Sequence, residues 1–131
     1  MKVFMLMSDA AVAHKEDGTF SILRGGINEV HVPSNHPVNF RGALVIRISA
    51  PPSEKGHHSY KLVCIYEDGE PVAPDLNGEF TIPERGRNIN IVLNIQLDFT
   101  KIGKYEFKIF IDKTEQDSWP ITVKKVTTHG K

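Results

Sequence analysis

The chain has 131 residues, the length of one ordinary domain, and its 16 Lys and Arg balance its 16 Asp and Glu. A net charge of zero offers no broad attraction for nucleic acid or for an anionic membrane surface, so we predict neither as a partner. No apolar run approaches the roughly 20 residues of a membrane-spanning helix. The single cysteine, Cys64, excludes an internal disulfide and favours a reducing compartment, so we predict a soluble, cytoplasmic protein.

The first part of the chain predicts short strands separated by turn residues. The apolar run 3–7 and the segment 19–23 are expected to pair through Asp17-Gly18, which is a favoured hairpin turn. Arg24-Gly25-Gly26 then predicts a bulge or bend before extended structure resumes over residues 27–32.

Alternation of apolar and polar residues marks the strands in the middle of the chain. One strand over residues 44–48 ends before Pro51-Pro52, and another over residues 60–67 ends at the turn Asp68-Gly69. The clearest alternation runs from residue 88 to residue 98 and predicts a long strand with one dry and one wet side. Its apolar positions are Ile89, Ile91, Leu93, Ile95 and Leu97.

The last third repeats the pattern over residues 104–112, and Trp119, Ile121 and Val123 mark a final strand. Seven to nine short strands without a helix are typical of a β-sandwich or a barrel. Tyr105 favours the sandwich, because its setting is that of the tyrosine corner of immunoglobulin-like domains, where the hydroxyl bonds a backbone group just upstream. We therefore predict an all-β, immunoglobulin-like antiparallel sandwich over residues 1–126 with a short C-terminal tail, residues 127–131.

Several turns and strand ends together resemble a known family. They are Ser8-Asp9-Ala10-Ala11-Val12, Asp17-Gly18, Phe20-Ser21-Ile22-Leu23, Gly25-Gly26, Tyr66-Glu67-Asp68-Gly69, Gly103-Lys104-Tyr105 and Trp119-Pro120. The chain resembles, over nearly its whole length, a family of small bacterial proteins known only as a domain of unknown function. The resemblance implies a bacterial or phage origin and a β-sandwich, and it brings no activity and no functional residue.

Residues that carry chemistry do not combine into a catalytic pattern. His57 and His58 could share a metal only from an irregular loop, because adjacent strand residues point to opposite faces. Cys64 lies between apolar neighbours, where a buried, inert thiol is expected. We predict no catalytic residue, no metal and no cofactor, and the chain is more typical of a binding protein than of an enzyme. Arg85 and Arg87 form the one local basic cluster and are candidates for binding an anion.

Apolar residues on predicted wet faces are the candidates for a partner site. If Tyr60, Leu62 and Cys64 point inward, Val63 and Ile65 point outward, and Phe110 likewise lies on the polar side of its strand. The two strands are neighbours in an immunoglobulin-like sheet, so we predict one apolar patch that binds a protein partner or a second copy of the chain. One alternative is that residues 124–131 fold across the patch. The other is a small-ligand or carbohydrate binder, in which Trp119 stacks on a sugar instead of packing in the core.

Overall fold

The computed structural model describes residues 1–32 and 38–125 of the chain and shows an almost entirely β structure. One 3₁₀ turn, Pro52–Glu54, interrupts the strands. The strands are β1 (Lys2–Ser8), β2 (Ala10–His14), β3 (Thr19–Leu23), β4 (Glu29–Val32), β5 (Val38–Ala50), β6 (Gly56–Tyr66), β7 (Leu76–Ile82), β8 (Arg87–Phe99), β9 (Gly103–Ile111) and β10 (Thr114–Lys125).

Eight of these strands form two sheets. The three-stranded sheet has the order β1-β5-β8, and the five-stranded sheet has the order β4-β10-β9-β6-β7. Neighbours are antiparallel except β4 and β10, which run parallel. The N-terminal part of the chain therefore contributes to both sheets: β1 lies in the three-stranded sheet, and β4 lies beside the last strand in the five-stranded sheet. The predicted all-β sandwich is confirmed. Eight strands form its two sheets, and the β2–β3 hairpin brings the strands of the described residues to ten, where the sequence predicted seven to nine.

The tyrosine corner is also confirmed. The Tyr105 hydroxyl donates to the carbonyl oxygen of Lys101 at 2.8 Å and accepts from the Lys101 N–H at 3.1 Å. The buried ring packs against Phe99, with 4.4 Å between ring centroids. Trp119 is half-buried against the core and donates its indole N–H to the Ile27 carbonyl, so it packs as a core residue.

The predicted pairing of residues 3–7 with residues 19–23 is wrong. Thr19–Leu23 pairs with Ala10–His14 to form a separate hairpin, and β1 pairs with β5 instead. The turn at Asp17-Gly18 is real, but it joins the segments that flank it most closely, and the alanine-rich segment 10–14 lacks the strong alternation that would mark it as a strand.

The β2–β3 hairpin lies on the outer face of the three-stranded sheet and is fixed there by polar contacts. The Arg47 guanidinium donates to the Gly18 carbonyl at 2.6 Å and to the Asn90 side chain at 2.9 Å. It also lies 5.4 Å from the centroid of the Phe20 ring. Beneath the hairpin, Ala43 and Val45 point away from the sandwich core, yet both are fully buried.

The described residues contain no helix that is long and apolar enough to cross a membrane. The predicted tail, residues 127–131, lies outside the described residues.

Candidate binding surfaces

The strands that carry the predicted partner residues are adjacent, as expected. In the antiparallel register of β6 and β9, Val63 faces Lys108, Ile65 faces Glu106 and Lys61 faces Phe110. Leu62 and Cys64 are buried, which confirms the predicted inward face of β6. Val63, Ile65 and Phe110 therefore share the outer face of the five-stranded sheet, where each is half-buried.

Charged side chains divide this face into separate apolar spots. The Lys108 ammonium lies 3.5 Å from Glu106 and 3.6 Å from Glu115, so these two ion pairs lie next to Val63 on the sheet face. The Lys61 ammonium lies 5.4 Å from the centroid of the Phe110 ring, within the range of a cation–π contact. The patch that these residues form is consequently smaller and more polar than the continuous one that alternation predicts.

A cleft of about 390 Å³ opens at one end of the same face. Phe110 and Lys61 line it together with the polar side chains of Asn77 and Glu79. The Tyr60 ring packs on the opposite, core-facing side of the sheet, over Gly78, where a Cβ atom would collide with it. An aromatic ring beside an amide and a carboxylate provides a stacking surface and hydrogen-bonding groups in one cleft.

The basic cluster lies at one end of the sandwich. Arg85 lies in a turn that the Gly86 N–H closes onto the Pro83 carbonyl at 2.9 Å, and Arg87 begins β8. Lys2 joins them in lining an open depression of about 530 Å³. Within residues 1–32 and 38–125, no carboxylate lies within 4.0 Å of these three cations, so their donors are available to an anion.

The two adjacent histidines do not meet, because Gly56–Tyr66 is a strand and not the irregular loop that a shared metal requires. His57 lies 2.9 Å from Glu79, on an exposed face. On the opposite face His58 lies 2.5 Å from the Asp112 carboxylate and 2.7 Å from the Glu54 carbonyl, and its ring stacks on Phe80.

The environments of His58 and Cys64 shift their acidities in ways that follow from these contacts. The hydrogen bond to Asp112, supported by the one to the Glu54 carbonyl, raises the pKa of His58. Burial raises the pKa of the Cys64 thiol to about 12, which leaves almost no thiolate near neutral pH. Cys64 accordingly packs as a small apolar residue and is a poor nucleophile.

The surface with the most exposed apolar side chains is one that sequence reasoning missed. Phe4 on β1 is 52% exposed, and on the hairpin Val12 is 58%, Ile22 40% and Leu23 63% exposed. We call these four residues the hairpin surface. In the β2–β3 register Val12 and Leu23 lie on one face of the hairpin, and Ile22 lies on the other face with Phe20. The sequence signal for the pairing that places these three residues is the Asp17-Gly18 turn alone.

Comparison with known protein families identifies the family of this chain. The profile of a family of unknown function, DUF6941, matches residues 3–124. The chain belongs to this family. In this DUF6941 member the match runs from β1 into β10, so it includes both sheets and the hairpin between β1 and β4. No curated protein matches the chain.

Proposed function

We propose that this DUF6941 protein is a non-enzymatic binding module that attaches to another protein through its hairpin surface. One observation carries the proposal. Of the six large apolar side chains that are exposed in the described part of the chain, four belong to β1 and the hairpin. Exposed apolar side chains on neighbouring elements are typical of a partner site, since a partner removes them from water.

The way the hairpin is held supports the same function. Arg47 and the Asn90 side chain both donate to the Gly18 carbonyl at the tip, at 2.6 and 2.9 Å. At the base, the Asp9 N–H donates to the Leu23 carbonyl at 3.0 Å. A recognition element fixed at both ends loses little conformational entropy on binding, so more of the apolar contact energy contributes to affinity.

The face of Val63, Ile65 and Phe110 supports partner binding less strongly, because its apolar residues are half-buried and separated by ion pairs. It provides the matched control for the test. Val12→Lys with Leu23→Lys changes the hairpin surface, and Ile65→Lys with Phe110→Lys makes the same chemical change on the sheet face.

The measurement is affinity capture from the native host with quantitative mass spectrometry, using each variant that keeps the wild-type melting temperature within a few degrees. Exposed substitutions of this kind change stability by about 0.5 kcal/mol, so the hairpin variant is expected to fold. We expect it to lose the captured partner and the sheet-face variant to retain it. The reverse result would move the site to the sheet face, and retention by both variants would reject both surfaces.

The cleft beside Phe110 favours a second candidate, the binding of a small ligand or carbohydrate. The Phe110 ring lies next to Asn77 and Glu79, a combination that suits a polar ring compound. Titration calorimetry with short oligosaccharides tests it. Heat that disappears in Phe110→Ala supports this function, and absence of heat in the wild type rejects it for those sugars.

We place the module in the bacterial cytoplasm. A single thiol that is buried in the core supports the compartment, because the fold needs no oxidation to form. The bacterial source rests on the resemblance described from the sequence.

A further inference from the structure

The longest strand at a sheet edge is β8. It has thirteen residues and β5 as its sheet neighbour, whereas the other edge strands β1, β4 and β7 have seven, four and seven residues. A long edge presents a row of N–H and C=O groups that another strand can pair with.

The unpaired groups of β8 follow from the ladder geometry. The Met7 carbonyl accepts from Gly26 and Ile27, outside the sheet, and the Ala43 carbonyl accepts from the Ser8 hydroxyl on the β1 side. The backbone N–H and C=O groups of the odd-numbered residues of β1 therefore point away from β5. Those of the even-numbered residues of β5 point towards β8. Across the continuous register, the odd-numbered residues of β8 bond to β5. The residues of β8 whose backbone groups point away from β5, which we call the outward residues, are Asn88, Asn90, Val92, Asn94, Gln96 and Asp98.

These outward groups are not paired elsewhere in residues 1–32 and 38–125. No backbone hydrogen bond joins them to a loop or turn, and no side chain bonds to their backbone atoms. The strand also lacks the usual protection of an edge. It contains no lysine, no proline and no bulge along its register with β5. Most of the outward residues have amide side chains, which carry no charge.

The inward side of the strand is incompletely covered as well. Ile89, Ile91, Leu93 and Leu97 are only half-buried. A cavity of about 220 Å³ lies between the sheets beside residues 94–97, lined mainly by apolar side chains such as Leu62, Leu76 and Phe107. A further strand along this edge would cover the apolar row and the mouth of the cavity together.

We propose that β8 pairs with β8 of a second copy of this chain, antiparallel about a two-fold axis at Leu93, so that two three-stranded sheets become one six-stranded sheet. Hydrogen-bonded pairs must join outward residues with outward residues, and an axis at Leu93 meets this condition while overlapping all thirteen residues. It uses no residue of the hairpin surface, so the proposal does not depend on the proposed function.

This register is chemically self-complementary on both faces. On the outer face it brings Asn88 opposite Asp98, Asn90 opposite Gln96 and Val92 opposite Asn94 of the other copy. On the inner face it brings Ile89 opposite Leu97, Ile91 opposite Ile95, and Leu93 opposite itself. No like charges face each other, and the inner pairs between Ile89 and Leu97 are apolar, which is the arrangement that stabilises cross-strand neighbours. Only the terminal pair, Arg87 opposite Phe99, joins a charged residue to an apolar one.

Substitution of Asn94 tests the proposal, because its N–H points outward and its exposed side chain makes no hydrogen bond to another described residue. Asn94→Pro deletes a donor that only a second strand would use, since proline is tolerated where the N–H faces solvent. Asn94→Lys places two positive charges close to the axis and serves if the proline variant fails to fold. Asn94→Thr keeps the N–H and a good strand former, so it is the matched control.

Sedimentation velocity over a wide concentration range is the measurement. We expect the wild type and Asn94→Thr to form a dimer as concentration rises, and Asn94→Pro and Asn94→Lys to weaken the dimer at least tenfold. Hydrogen exchange adds a residue-specific readout: the amides of Asn90, Val92, Asn94 and Gln96 should become protected only at dimer concentrations. A wild type that stays monomeric, or a dimer that survives both variants, would overturn the proposal. Partner capture with Asn94→Lys tests the hairpin surface separately.

Discussion

Strands β8 and β9 have the same alternating sequence pattern but very different burial. The inward residues of β9, from Tyr105 to Ile111, are 0–3% exposed. In β8 the corresponding row is longer, yet four of its members, from Ile89 to Leu97, are half-buried. The difference lies in their neighbours, because β9 has β6 and β10 on its two sides and β8 has only β5 in the described structure.

This comparison separates two kinds of information. Alternation fixes which face of a strand is apolar, because successive side chains point to opposite sides. It does not fix whether the strand lies in the middle of a sheet or at its edge, which depends on pairing with residues far away in the sequence. The strand with the clearest pattern thus has an apolar face that is incompletely covered.

The largest expected effect compares one residue from each strand. Ile109→Ala removes a completely buried side chain and should lower the free energy of unfolding by about 3–4 kcal/mol, while Ile91→Ala should cost about 1 kcal/mol. Urea denaturation of both variants at low protein concentration measures the difference. Equal losses would show that β8 is as well covered as β9. A loss for Ile91→Ala that grows with protein concentration would indicate that a second copy covers it.

A smaller effect is expected at the corner where β9 begins. Tyr105→Phe leaves both the N–H and the carbonyl of Lys101 without their partner, so we expect a loss of about 1–2 kcal/mol. Tyr66→Phe is the matched control, because its more exposed hydroxyl bonds only the Ile102 carbonyl. Denaturant unfolding compares the two. A Tyr105 variant no less stable than the Tyr66 variant would mean that the corner bond contributes little.

The smallest effect concerns pH and the contact between His58 and Asp112. Because folding raises the pKa of His58, its contribution is fully present below the unfolded value of about 6.5 and is lost as pH rises through the folded value. Folding lowers the pKa of Asp112, chiefly through the His58 bond, so that contribution is present above the unfolded value of 3.8 and is lost as pH falls. The pair stabilises most between these limits.

Melting temperature as a function of pH measures this contribution. We expect the wild type to lose melting temperature relative to His58→Gln as pH rises from about 6.5 to 8. Asp112→Asn should reduce the same dependence, because only the bond to the Glu54 carbonyl remains, and asparagine suits the positive φ of 50° at this position. Parallel curves for the wild type and both variants would show that the contact does not stabilise the fold.

Much of the fold can be predicted from the sequence, because the strands and their apolar faces follow from patterns of neighbouring residues. The alternation of residues 88–98 and 104–112 gives strand and face, and Tyr105 gives the corner that identifies the sandwich. The hairpin is different. Ala10 to His14 carries little apolar volume, so its pairing depends on contacts such as the one between Arg47 and Gly18, which are distant in sequence.

The candidate surfaces show the same division. Val63, Ile65 and Phe110 are placed on one face by alternation, and the structure brings them there. Their separation by Lys108 follows from the register of β6 against β9, which no local pattern encodes. The hairpin surface and the free edge of β8 both depend on which strands become neighbours, so neither is visible before the sheet order is known.

The parallel pairing of β4 with β10 has a mechanical consequence. Glu29–Val32 and Thr122–Lys125 lie side by side and run in the same direction, in registers that place Val30 beside Val123. A force that pulls Glu29 and Lys125 in opposite directions would load this pair lengthwise, so its backbone hydrogen bonds would resist together and would not open one at a time. The pairing of β4 with β10 therefore resists stretching between the start of β4 and the end of β10.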